Sequence, residues 1–163
     1  SMRFVRFFES PSSAEQSLHL IADFQHLKAW DESVVEVEPL QETFGLGAAY
    51  WVLVNFNGRM IPMRYEVTSY VPGHSAVLRG VADKATAIDR IEVTPNATGC
   101  QVRYDAEIRM AFPYSLFDWV MALGFKTTVD RAVAGLSRFL TAHHGLGDEA
   151  AEPAVRQNLA GSE

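Results

Sequence analysis

Between Val34 and Met110 apolar residues recur at every second position, and turn residues interrupt the run at regular intervals. Val35 and Val37 alternate with Glu36 and Glu38. Tyr50, Val52, Val54 and Phe56 fall on one side of the next segment. Asn57-Gly58, the pair best suited to a two-residue hairpin, then leads into Ile61, Met63, Tyr65 and Val67. Pro72-Gly73, Asp83-Lys84 and Asn96 to Gly99 separate three more segments, 75–81, 85–93 and 100–110. Such alternation predicts antiparallel strands with one dry and one wet face. With an N-terminal strand from Met2, the count reaches seven.

Helical spacing appears at the two ends of the sheet region. Ser12 stands three residues before Glu15, which predicts a capping box. A helix is expected at about 13–24, followed by a short helical turn at 26–31. Ser115 and Asp118 repeat the capping pattern before a long helix from 116 to about 143, which Gly145 and Gly147 would end. Met121, Phe125, Val129, Val133, Leu136 and Leu140 form its apolar stripe, with charged residues off the stripe. The only long amphipathic element must cover the dry face of the sheet. The fold class is therefore α+β, a helix-grip fold in which a curved seven-stranded antiparallel sheet wraps around the C-terminal helix.

The chain has 163 residues, enough for one domain, placed at 1–145. Residues 146–163 hold few large apolar side chains and are read as a disordered acidic tail. Ser1 before Met2 has the form of a residue left by tag cleavage, and no signal peptide is read, which favours a cytoplasmic protein. A net charge of −6 without a basic run argues against nucleic acid. No apolar stretch is long enough for an integral membrane segment. The lone Cys100 and five scattered histidines offer no metal-ligand spacing, so neither a metal nor another cofactor is expected.

Ala22-Asp23-Phe24, Leu27-Lys28-Ala29-Trp30-Asp31, Val34, Gly45-x-Gly47, Asn57-Gly58, Asp89 and Gly99 together resemble bacterial members of the START/polyketide cyclase–dehydrase (SRPBCC) superfamily. The resemblance covers about residues 3–143. It implies a hydrophobic cavity between sheet and helix. Members bind lipids, sterols, polyketides, hormones or quinones, and some cyclise or dehydrate polyketides. Fold analogy does not choose among these.

The residues narrow the choice. In strand 85–93, Asp89 shares a face with Ala85, Ala87, Ile91 and Val93, whereas Arg90 and Glu92 lie on the other face. A carboxylate among small apolar side chains must take up a proton, find a cation or meet a ligand. Asp89 is therefore the first candidate for a catalytic group or polar anchor. An odd-length 82–85 connection would bring Arg79 beside it; an even one, the favoured reading, turns Arg79 to solvent.

Trp30, Tyr50, Tyr65 and Tyr104 supply aromatic walls with polar tips. With Val52, Val54, Leu78, Asp89, Phe117, Met121 and Phe125 they make up the expected ligand-binding set. Residues 116–125 are apolar almost all round, more than one covered face requires, so part of this surface is expected to form a cavity mouth, a homodimer contact or a surface that touches membrane when ligand is loaded. The favoured function is binding of a small hydrophobic molecule. The alternative is a polyketide cyclase/dehydrase-type enzyme using Asp89 and a tyrosine, Tyr65 or Tyr104. A protein-interaction or homodimerisation module is the third possibility.

Overall fold

The computed structural model describes residues 1–144. The elements run β1 (Met2–Ser10), α1 (Ala14–Ala22), a 3-10 turn (Phe24–His26), α2 (Leu27–Trp30), then β2 (Val34–Pro39) and β3 (Ala49–Phe56). They continue with β4 (Arg59–Val71), β5 (Ser75–Val81), β6 (Ala85–Asn96), β7 (Gly99–Met110), a 3-10 turn (Tyr114–Phe117) and α3 (Asp118–Ala142). The seven strands form one antiparallel sheet in the order β1-β7-β6-β5-β4-β3-β2. Its curved inner face holds α3. The predicted tail at 146–163 and the helix stop at Gly145 and Gly147 lie outside the described residues.

Local chemistry explains most of these boundaries. Asn57 and Gly58 both have positive φ, 51° and 82°, as a type I′ hairpin between β3 and β4 requires. A register shift between Val67 and Ser69 in β4, and another between Val34 and Glu36 in β2, mark bulges that bend the sheet. The first helix is capped by Ser13, whose hydroxyl accepts from the Gln16 N–H at 3.2 Å, and not by Ser12. Ser12 is buried beside Ser10 and Ser17 and belongs to the preceding turn. The second predicted capping box also fails. Ser115 falls within a 3-10 turn, and α3 begins at Asp118 without a side-chain cap.

The wet face of β7 carries buried charge. Asp105 and Glu107 are enclosed, Asp105 under Arg3 and Arg103 and Glu107 between Arg90 and Arg109 at 3.0 Å each. Hydrogen bonds from Arg109 and Arg90 hold the Glu107 carboxyl below its ordinary range. Convex-face carboxylates are thus satisfied by arginines from β1, β6 and β7, and the interior is left for a different chemistry.

The core occupies one end of the space between sheet and helix. Leu18, Ile21, Phe24, Tyr50, Leu78, Leu136 and Leu140 are sealed there. Gly135 makes that packing possible, because a Cβ on it would stand 2.0 Å from the Trp30 carbonyl oxygen. A mid-helix glycine costs about 1 kcal/mol in propensity, and here it lets α3 touch the α2 backbone.

Candidate functional site

Toward the N-terminal half of α3 the packing stops. A cavity of about 610 Å³ separates the helix from β3, β4, β6 and β7. This lies within the range of small-molecule sites. Apolar side chains make up most of the wall. The mouth is ringed by exposed Arg59, Met60, Asp83, Lys84 and Tyr114, from the β3–β4 and β5–β6 turns and the segment before α3.

Strand register decides what reaches the interior. Asp89 pairs with Leu78 on β5 and Ala106 on β7, and Arg79 pairs with Ile88 on the opposite face. Arg79 is therefore exposed, as the even-loop reading requires. Trp30, Val52, Val54 and Tyr65 line the cavity, as do Asp89, Tyr104, Met121 and Phe125. Three expected members lie elsewhere. Tyr50 is fully buried in the core, where its hydroxyl donates to Asp23 at 2.8 Å. Leu78 is sealed at the same packed end. Phe117 precedes α3 in the 3-10 turn and is 57% exposed. Period two identifies the face of a sheet and carries no information on height along it, which is why Tyr50 and Leu78 share a predicted face with the lining residues.

The polar atoms of the cavity are few and specific. Tyr104 Oη donates to Asp89 Oδ2 at 2.6 Å. Asp31, at the end of α2, is absent from the expected site residues, yet it lines the same cavity. Its Oδ1 accepts from the Ser33 N–H at 3.0 Å and the Ser33 hydroxyl at 2.7 Å. The sequence signal is the Asp31-x-Ser33 spacing of an Asx turn, which reads as a turn and discloses nothing of where the turn faces. Burial pushes the Asp89 carboxyl up to about 6, against the Tyr104 hydrogen bond, with Asp31 and Asp105 adding to the rise. Asp31 is also raised by burial, partly offset by Ser33. Asp89 is only half-buried by surface area because the cavity itself reaches it.

Tyr65 is 8% exposed, and its hydroxyl has no hydrogen-bond partner among the described residues. Burial, then the Asp89 and Asp31 charges, raise it well above the ordinary tyrosine range. Its ring lies flat over a glycine: a Cβ on Gly80, its cross-strand partner, would stand 2.6 Å from the ring. Trp30 packs edge-on to Tyr104 with ring centroids 6.2 Å apart, and its indole N–H is sealed without a partner.

The surplus apolar surface predicted at 116–125 divides in two. Met121 and Phe125 turn into the cavity, with Phe125 stacked on Phe56 at 4.3 Å. Leu116, Phe117, Trp119 and Leu123 are exposed beside the mouth. No helix of the described residues is long and apolar enough to cross a membrane.

Solved structures share this architecture at low identity. A protein from Thermus thermophilus superposes with a TM-score of 0.70 at 15% identity, over 88% of this chain and 99% of its own. A protein from Chromobacterium violaceum gives 0.65 at 14%, over 86% and 98%. A START superfamily protein from Mycobacterium smegmatis gives 0.63 at 16%, over 86% and 100%. Likeness at these identities establishes the fold alone. No curated protein matches the sequence significantly. The family model described as polyketide cyclase / dehydrase and lipid transport matches residues 2–141, nearly the whole described chain, and the chain belongs to that family.

Proposed function

We propose that the protein binds a small hydrophobic molecule in the cavity between the sheet and the N-terminal half of α3, with Asp89 as a polar anchor. The observation that carries this reading is the 610 Å³ interior with an apolar wall and a carboxylate held by Tyr104 inside it. Trp30, Val52, Val54, Tyr65, Met121 and Phe125 supply the apolar contacts. At about 25 cal/mol per Å² of apolar surface removed from water, such an enclosure is enough to hold a lipid-like guest. Native mass spectrometry of the purified protein tests it, with Ala87→Phe as the blocked control, since Ala87 lines the cavity. Retained small molecules that vanish in Ala87→Phe are expected; an empty wild-type protein that also takes up no added hydrophobic compound refutes it.

One observation favours a second reading, a polyketide cyclase/dehydrase-type activity. An acid raised to about 6 and hydrogen-bonded to a tyrosine is near the working range of a general acid–base. Turnover of a poly-β-ketone that survives in Asp89→Asn would remove this reading.

A further inference from the structure

The unpartnered polar atoms that open on the cavity are two carboxylate oxygens and one tyrosine hydroxyl. Asp89 Oδ2 is taken by Tyr104 and Asp31 Oδ1 by Ser33, which leaves Asp89 Oδ1 and Asp31 Oδ2 without partners among the described residues. The Tyr65 hydroxyl, on a side chain more than nine-tenths buried in the same wall, is likewise unpartnered. Among the described residues no basic side chain lines the interior. Arg59 and Lys84 stand exposed at the mouth, where Lys84 lies 3.5 Å from Asp83. Most donors of the wall are committed, Ser33 Oγ to Asp31, Thr128 Oγ1 to the Gly124 carbonyl and Tyr104 Oη to Asp89, while the Trp30 indole N–H is sealed off and the Tyr65 O–H is free.

Two carboxylates that face a shared apolar space without a cation are costly for the protein alone. A ligand carboxylate would add a third negative charge, and a ligand carbonyl would find the Tyr65 O–H as donor but leave both carboxylates uncompensated. A protonated amine supplies what is missing, a positive charge with N–H donors. The aromatic rings of Trp30, Tyr65 and Tyr104 present faces and edges around the same space, and ring faces attract cations.

We propose that the cavity selects a hydrophobic molecule carrying a protonated amine, whose nitrogen donates to Asp89 Oδ1, Asp31 Oδ2 and the Tyr65 hydroxyl oxygen. The inference rests on the cavity-binding reading above and names the chemical class of its guest. The amine enters as a cation and leaves as one; no covalent step is involved.

Decylamine, 1-decanol and decanoate, matched in chain length and differing in the head group, test it by isothermal titration calorimetry on the full chain near pH 7.5. The amine is expected to bind at least about tenfold more tightly than the alcohol, the worth of one charge-assisted hydrogen bond, with decanoate weakest. In Asp31→Asn/Asp89→Asn the amine should lose its advantage over the alcohol. This separates the site from general attraction to an acidic protein. A pH series needs no variant. Of the charged groups facing the nitrogen, Asp89 and Asp31 must be ionised, while Asp83, Lys84 and Arg59 stand at the mouth. Amine affinity should fall on the order of tenfold between about pH 7.5 and 5 as Asp89 takes up its proton, and alcohol affinity should not follow. Equal affinities for amine and alcohol, or tightest binding of decanoate, overturn the inference and leave the cavity reading standing. Failure of all three probes overturns both.

Discussion

The two halves of α3 carry one apolar stripe and put it to different uses. Leu136 and Leu140 are completely buried, and Gly135 brings the helix against the Trp30 carbonyl. Met121, Phe125, Val129 and Val133 continue the same stripe, yet each is only half-buried and lines the cavity. Nothing in the helix itself accounts for the change. What differs is the opposing layer: α1 fills the closed end with Leu18 and Ile21, whereas at the open end α3 faces the curved sheet across the cavity, with Phe24, Trp30 and Asp31 at its border. An amphipathic helix thus determines which side faces inward; the elements across from it determine whether that side is packed or hollow.

The closed end should be the fragile one. Gly135→Ala places a methyl 2.0 Å from a backbone carbonyl that cannot rotate away. The expected loss exceeds about 3 kcal/mol, beyond most overpacking costs, and chemical denaturation will read it. A loss under about 1 kcal/mol would mean that α3 is not seated on α2. Leu136→Ala, which empties a sealed position, should cost about 3 kcal/mol. Met121→Ala enlarges space that is already open and should cost about 1 kcal/mol, mostly the transfer of the lost side chain. Equal losses for the two would erase the contrast between the halves.

The acid at the open end offers a test with the opposite sign. Asp89 is raised from 3.8 to about 6 in the folded protein, so the folded state binds its proton more tightly than the unfolded chain does. Its contribution is harmless below about pH 4, turns unfavourable as pH rises from there to about 6, and stays unfavourable above. A rise of that size corresponds to about 2–3 kcal/mol. Asp89→Asn should therefore stabilise the protein by about 2 kcal/mol at about pH 7.5 and by little at about pH 4, in parallel melts at the two pH values. Stabilisation that is the same at both, or absent at the higher pH, would show that ionised Asp89 carries no burial cost.

How much of this was legible in the sequence follows the same division. The alternation of Val52, Val54, Ile61, Met63 and Tyr65 specified strands and faces, because a pleated strand has an unambiguous period. Asn57-Gly58 specified the hairpin, and Asp89 stood out as a charge on an apolar face. Position along the cavity axis was not legible, since Tyr50 and Leu78 share a face with lining residues and sit at the packed end. Phe117 was misplaced because the helical phase starts at Asp118, after a 3-10 turn that the Ser115-x-x-Asp118 pattern concealed. Asp31 was invisible as a site residue because its neighbours in the cavity come from β6 and β7, more than fifty positions away in the chain. Local chemistry reveals elements and faces; which side chains meet depends on register and on what fills the far side.

The smallest effect is expected at the second glycine of α3, and it sharpens the comparison most. A Cβ on Gly124 would meet Phe56 Cζ at 3.1 Å, a contact with the far end of a side chain that borders the cavity and can swing into it. The crowding is therefore relieved by a small rotation of the Phe56–Phe125 stack, whereas at Gly135 the obstacle is backbone. Replacing glycine by alanine in a helix returns about 1 kcal/mol of propensity, which should offset the displaced ring. Gly124→Ala is expected to change stability by less than about 1 kcal/mol in either direction. Because the ring moves into the space a ligand would occupy, affinity for a bulky hydrophobic probe should fall several-fold without any loss of folding. Two glycines in one helix, given the same methyl, would then answer differently: one by unfolding the closed end, the other by narrowing the open one. A Gly124→Ala variant destabilised as severely as Gly135→Ala would mean that the Phe56 ring has nowhere to go and that the N-terminal half of α3 is packed as tightly as the rest.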